Sequence, residues 1–300
     1  MGNFQLDFVG VGSGKAGTTW VAHCLREHPQ ICIGKGKEMN YFCKKHPQDV
    51  FPARGTFYTG SHRDKGIEWL KSRFEHREPG QLLGEISPSY MFDPETPDFI
   101  YEHNPRMKLI FNFRNPAEVV YSAYHQYMQF QPLYCTFEGM LEKYSSLLVY
   151  PRFYSNVQRF LKRFPLEQMH FIVFDDIKID SLGVYLGLCR FLGIDETFVP
   201  QKVQQRVNPR KTVRSRLMRD IFSRTTSLLN RNKSLLPVKS FLNLLGLGKM
   251  AYRIHYLWNK QPASYIPMKP ETRARLIEMY KEENLKLGEF LGRDLSHWNE

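Results

Sequence analysis

Along the first two thirds of the chain, short apolar runs alternate with segments whose apolar residues recur at helical spacing. Strands are predicted at Phe4–Val11, Ile31–Ile33, Gln81–Glu85, Lys108–Phe113 (KLIFNF) and Met169–Phe174 (MHFIVF). Helices are predicted at Thr18–His28, Pro116–Gln131, Arg152–Phe164 and Ser181–Leu192. In the third of these, Phe153, Val157, Phe160, Leu161 and Phe164 share one face. Strands that alternate with helices imply a parallel sheet covered on both faces, a doubly wound α/β domain. The rhythm stops between Thr197 and Tyr265. There a loop carrying Asn208, Pro209, Arg210 and Lys211 leads into a basic stretch with spaced leucines, read as a helical cap on the same domain. A last helix, Pro270–Leu291, is closed by Gly292 in the position where a left-handed residue ends a helix. One domain over residues 1–300 is therefore expected.

The first strand runs into VGVGSGKAGTTW, Val9 to Trp20. A glycine-rich turn between a strand and a helix exposes backbone N–H groups at the positive end of the helix, which is an anion site. Lys15 adds a charge, and Thr18 and Thr19 add hydroxyls. Three templates compete. An ATPase loop needs a hydroxyl straight after the lysine to meet magnesium, and Ala16 has none. A dinucleotide loop fits Gly12, Gly14 and Gly17, but the acid at the required distance, Glu38, follows the basic loop Gly34–Lys37 instead of ending a strand. The third template, a lysine shortly before a threonine pair that opens a helix, fits neither.

Composition narrows the field. The chain has 300 residues, 42% hydrophobic and 14% aromatic, enough for a sizeable core. The N-terminus has neither a basic n-region nor an apolar h-region, and no apolar run reaches bilayer length, so a cytoplasmic protein is expected. The five cysteines lack metal-site spacing and read as buried thiols. Net charge is +12. Residues 201–260 hold fourteen Lys/Arg against one acid, Asp220, so the excess is confined to that segment. It would suit a nucleic acid, a membrane surface or carrier protein, or a polyanionic small ligand.

A second constellation decides between the templates. KLIFNF leads directly to Arg114-Asn115-Pro116, with Ser122 two turns into the next helix. An arginine at the carboxyl end of a parallel strand lies at the ligand edge of the sheet, and Arg114 with Ser122 makes a second anion clamp. The pair KAGTT and R-N-P-x-x-x-x-x-S resembles the two nucleotide signatures of sulfotransferases that use 3′-phosphoadenosine 5′-phosphosulfate (PAPS). GKGKEMNYF at 34–42, GEISPSYMF at 84–92, YPRFYSNVQRFLKRFP at 150–165 and the tail LGEFLGRDLSHW are similar to the heparan-sulfate-type and bacterial branch.

The resemblance implies a P-loop-like fold and a role for each matching residue. Lys15 contacts the bridging oxygen and stabilises the leaving phosphate, while Ala16, Gly17, Thr18 and Thr19 hold the 5′ end. Arg114 and Ser122 hold the 3′-phosphate, and Arg210 and Lys211 close over the nucleotide. Glu38 is the general base for an acceptor hydroxyl, with His125 as the competing base. The acceptor is a small natural product, a lipid or a saccharide; no metal and no nucleic acid is expected. One departure is Ile86, where some glycan-sulfating members carry lysine, which puts a glycan acceptor in doubt. The rival readings are a P-loop kinase or NTPase using Asp175 or Asp176, and a basic nucleic-acid binder.

Overall fold

A computed structural model of the chain describes residues 4–36, 38–44, 61–130, 136–144, 148–205, 211–215, 217–218, 220–221, 224–225, 260–262 and 267–300. Its centre is a five-stranded, all-parallel sheet in the order β2-β3-β1-β4-β5. The strands are β1 (Phe8–Gly12), β2 (Ile31–Ile33), β3 (Leu82–Ile86), β4 (Lys108–Phe113) and β5 (Met169–Val173). Every residue of β1 is buried, as expected of a central strand with both faces covered. The doubly wound arrangement expected from the sequence is present.

The helices are α1 (Thr18–Glu27), α2 (Gly66–Ser72), α3 (Thr96–His103), α4 (Pro116–Phe130), α5 (Phe137–Lys143), α6 (Phe153–Leu161), α7 (Phe174–Ile179) and α8 (Ser181–Leu192). A long helix, α9 (Pro270–Leu291), ends at Gly292 with φ 62°. One core lies between the sheet and α3, α4, α6 and α9, built around Phe111, Phe113, Phe153 and Phe160. The other lies beneath α1 and α8, around Phe8, Trp20, Ile110 and Leu188. Alternate residues of β4 feed the two cores, as the period of two requires.

Three sequence expectations change. β1 begins at Phe8 instead of Phe4, because Leu6 donates its N–H to His103 Nε2 (3.0 Å) and its carbonyl accepts from Asn104 Nδ2 (2.8 Å) instead of pairing with a strand. β5 stops at Val173, one residue short of the predicted end, because Phe174 already opens α7, which carries Asp175 and Asp176. The segment expected to be a helical cap contains a two-stranded antiparallel ribbon, β6 (Lys211–Val213) with β7 (Lys260–Pro262). Its leucine-rich stretch lies outside the described residues. Among the described residues no helix is long and apolar enough to cross a membrane. Cys24, Cys32, Cys43 and Cys189 are buried and unbridged, and Cys135 lies outside the described residues.

Candidate active site

The carboxyl ends of β1, β3 and β4 meet at one edge of the sheet, and the predicted residues gather on the turns leaving them. The loop from Gly12 to Gly17 follows β1. Its glycines are required by space: a Cβ on Gly12 would stand 2.4 Å from the Pro88 carbonyl oxygen, at φ +119°. On Gly17, at φ +94°, a Cβ would stand 2.8 Å from Ile177 Cδ1. The turn therefore packs directly against Pro88, Phe174 and Ile177, with no room for a side chain at either glycine. Lys15 adopts φ 66°, a left-handed conformation that a non-glycine residue holds only under outside constraint. Gly17 opens α1, whose first turn carries no acid, so its positive end is uncompensated. Ala16 and Thr18 are buried in the turn, while Thr19 faces a cleft.

Arg114 joins the two predicted clamps. Its Nη1 donates to the Lys15 carbonyl (3.1 Å) and its Nη2 to Glu118 (3.2 Å), with the guanidinium over the Phe174 ring. The Arg114 side chain is only 15% exposed, so this is a partly desolvated contact. Glu118 is shared with Arg273 of α9 at 3.3 Å. Asn115 caps α4 by accepting from Ala117 N (3.0 Å) and donates to the Trp298 carbonyl. Ser122 lies partly exposed two turns along α4. His125, one turn beyond, is set edge-on against Tyr121 and Tyr124, at 4.5 and 5.2 Å between ring centroids. Arg210 lies outside the described residues, and Lys211 begins β6.

Glu38 lies on the loop that leaves β2. Both Glu38 (φ 57°) and Asn40 (φ 51°) are left-handed. Beneath this loop lie residues that were assigned no role from the sequence. Glu85, at the end of β3, is 2% exposed. Ser87 Oγ donates to it at 2.8 Å and the Tyr90 hydroxyl donates to its other oxygen. Burial pushes the Glu85 carboxyl up to about 8; the Ser87 hydrogen bond and one from the Met39 backbone act the other way, and the nearby Glu38 charge adds to the rise. A carboxylate closing a buried parallel strand, in QLLGE, was the available signal. Ile86, the departure noted above, is buried against Gly10 in the core.

A cleft of about 370 Å³ opens beside the anion loop, lined by Thr19, His23, Arg26, Lys35, Gly36 and His76. It extends from the second threonine of KAGTT along α1 to the loop that carries Glu38. The acids needed by the NTPase reading are engaged elsewhere. Asp175 accepts from Trp298 Nε1 (3.0 Å) and Lys178 (2.6 Å), and Asp176 pairs with Arg293 (2.7 Å).

Comparison with known proteins follows the same lines. The family model described as "Sulfotransferase domain" matches residues 6–220. Membrane-associated sulfotransferase kil1 of Dictyostelium discoideum is 29% identical over 151 residues, covering 47% of this chain and 28% of that protein. Heparan sulfate glucosamine 3-O-sulfotransferase 5 of Homo sapiens is 25% identical over 199 residues, covering 61% and 52%. The chain thus spans about half, or less, of the length of these relatives. In fold it is similar to a sulfotransferase from Alicyclobacillus acidocaldarius, with a TM-score of 0.69, 21% identity, and coverage of 99% of this chain and all of that one.

Proposed function

This chain belongs to the sulfotransferase domain family, and from that premise we propose that it moves a sulfo group from PAPS to an acceptor hydroxyl. The observation that carries the reading is the tie between Arg114 and the Lys15 carbonyl, which brings the two proposed clamps together at one sheet edge. A nucleotide with phosphates at both its 5′ and 3′ positions needs two clamps, and the positive end of α1, with no acid in its first turn, suits a phosphate.

In the proposed reaction PAPS supplies the sulfo group. Lys15, the amides that follow it and the hydroxyls of Thr18 and Thr19 hold the 5′ end, and Arg114 with Ser122 holds the 3′-phosphate. Lys211 and Arg210, from the later segment, close over the nucleotide. Glu38 takes the acceptor's proton as the acceptor oxygen bonds to sulfur. The bond from sulfur to the phosphate oxygen breaks, and Lys15 neutralises the charge left on that oxygen. Preorganised cations and helix-end amides supply the electrostatic stabilisation such a transfer needs, and no metal is assigned a role. His125, packed among tyrosines, is the weaker candidate for the base. The acceptor is a small molecule, lipid or saccharide that reaches sulfur through the cleft beside Thr19. A docking role for the basic 201–260 segment, at a membrane surface or a carrier protein, is compatible with this chemistry.

Calorimetry with 3′-phosphoadenosine 5′-phosphate (PAP) in EDTA tests the reading. Binding of PAP is expected. Tight binding of ATP-magnesium with no response to PAP would overturn it. Transfer of labelled sulfate from PAPS to a panel of hydroxylated lipids, natural products and saccharides then identifies the acceptor class.

A further inference from the structure

The loop that carries Glu38 is held from below by one buried cluster, and its amides point at that cluster in sequence order. Asn40 N donates to Ser87 Oγ (2.9 Å) and Phe42 N donates to the Tyr90 hydroxyl (3.2 Å). Both hydroxyls pass their own protons to Glu85, one to each carboxylate oxygen. The carboxylate is thus the common acceptor at the base of two relays that end on the loop backbone. Ser89 Oγ adds a bond to the Asn40 side chain, Thr96 Oγ1 donates to the Phe42 carbonyl (2.9 Å), and a His62 ring nitrogen pairs with the Met39 carbonyl (2.7 Å).

This anchoring explains how the loop keeps its shape. Two left-handed non-glycine residues within three positions are strained, so such a turn persists only where its surroundings over-determine it. Glu85 is a poor choice for stability alone, because a fully buried carboxyl is costly and an apolar residue would fill the same space. Its use is directional: in the ionised form, which the two hydroxyl donors favour against the pull of burial, both oxygens accept.

We propose that Glu85, acting through Ser87 and Tyr90, is the positioning group that fixes the Glu38 loop against the sheet edge and so aims Glu38 at the acceptor. This rests on the reading of Glu38 as the base. Glu85 itself is sealed from solvent and touches no substrate.

Two mild variants test it, Ser87→Ala and Tyr90→Phe, each deleting one hydroxyl while keeping Glu85 and the packing. The first readout is amide hydrogen exchange. Exchange is expected to rise about tenfold at Asn40 in Ser87→Ala and at Phe42 in Tyr90→Phe, with residues 8–19 unchanged. The second is transfer of the labelled sulfo group of PAPS to water. There the water oxygen bonds to sulfur, the bond to phosphate breaks and the proton goes to Glu38, giving sulfate and PAP. The rate is expected to fall about tenfold while PAP affinity stays within about twofold. In a Glu38→Gln background the same substitutions should cost almost nothing more, because they act through that residue.

Unchanged exchange at Asn40 and Phe42, or a loss of PAP affinity parallel to the loss of rate, would overturn the proposal. So would a hydroxyl deletion that costs as much without Glu38 as with it. If Glu38→Gln is slow while both hydroxyl variants run at the wild-type rate, positioning fails and the base assignment stands. A Glu38→Gln protein at the wild-type rate removes the base assignment, and this proposal with it.

Discussion

Replacing Arg114 with alanine separates the two jobs the guanidinium performs. One is the proposed hold on the 3′-phosphate. The other is visible directly, in the 3.1 Å bond to the Lys15 carbonyl that props a left-handed residue in the anion loop. The first is a charge-assisted contact at a side chain only 15% exposed, worth about 1.5–3 kcal/mol, or one to two decades in affinity. The second contributes about 0.5–1.5 kcal/mol, or less than about one decade, and acts on any ligand of the loop. Calorimetry with two ligands divides them. PAP carries the 3′-phosphate and adenosine 5′-phosphate lacks it. Arg114→Ala should weaken PAP by about thirty- to two-thousandfold in total, and adenosine 5′-phosphate by about tenfold at most. Arg114→Lys should recover only part of the loss, because an ammonium cannot reproduce the fork that meets Lys15 and Glu118 together. Equal losses for the two ligands would refute the phosphate assignment and leave Arg114 as a support of the loop. Unchanged affinity for both would remove it from the site.

The other expectations concern the base, the anion loop and the acid limb of stability. Glu38→Gln should keep PAP affinity and lose about two to four decades in turnover, while His125→Ala costs much less; the reverse pattern in the same assay would assign the proton to the histidine. Gly17→Ala forces a Cβ to within 2.8 Å of Ile177 at φ +94°, and should weaken PAP by at least about tenfold; full affinity in calorimetry would show that the turn can relax. Burial, with the neighbouring Arg63 charge, lowers His103 to about 4, and its Nε2 accepts from Leu6 N in the neutral form (3.0 Å). The unfolded chain binds that proton near pH 6.5 and the folded chain only near 4, so this share of stability is lost as pH falls between them. Melting temperatures of His103→Gln and the wild type should therefore converge on acidification, and an unchanged gap would argue against a neutral buried imidazole.

What the sequence made legible follows the range of the interactions involved. KLIFNF, Ser181–Leu192 and Pro270–Leu291 emerge with their predicted bounds, because apolar period and local capping residues define them. α2, α3, α5 and α7 are at most eight residues long, too short to establish a period, and were not anticipated. The turn from Gly12 to Gly17 was legible because its glycines and the start of α1 are defined by local backbone and near neighbours. Glu85 was not, because its meaning lies in contact with a loop some forty-five residues away in sequence. Asp175 and Asp176 were ambiguous for the same reason: the tail residues Trp298 and Arg293 that engage them are more than a hundred positions downstream.

That tail has a consequence for the order in which the protein can mature during synthesis. β1 is the middle strand of the sheet, yet it leaves the ribosome first and must wait for β3 and β4 before it has a neighbour on either side. The anion loop then acquires Arg114, but α4 behind that arginine still lacks its outer wall. Asn115 meets the Trp298 carbonyl, and Glu118 meets Arg273. A nascent chain that has already displayed every motif of the proposed nucleotide site is thus still open on one flank. Residues 270–300 close it, so the proposed competence to hold a nucleotide should arise abruptly, only once α9 docks.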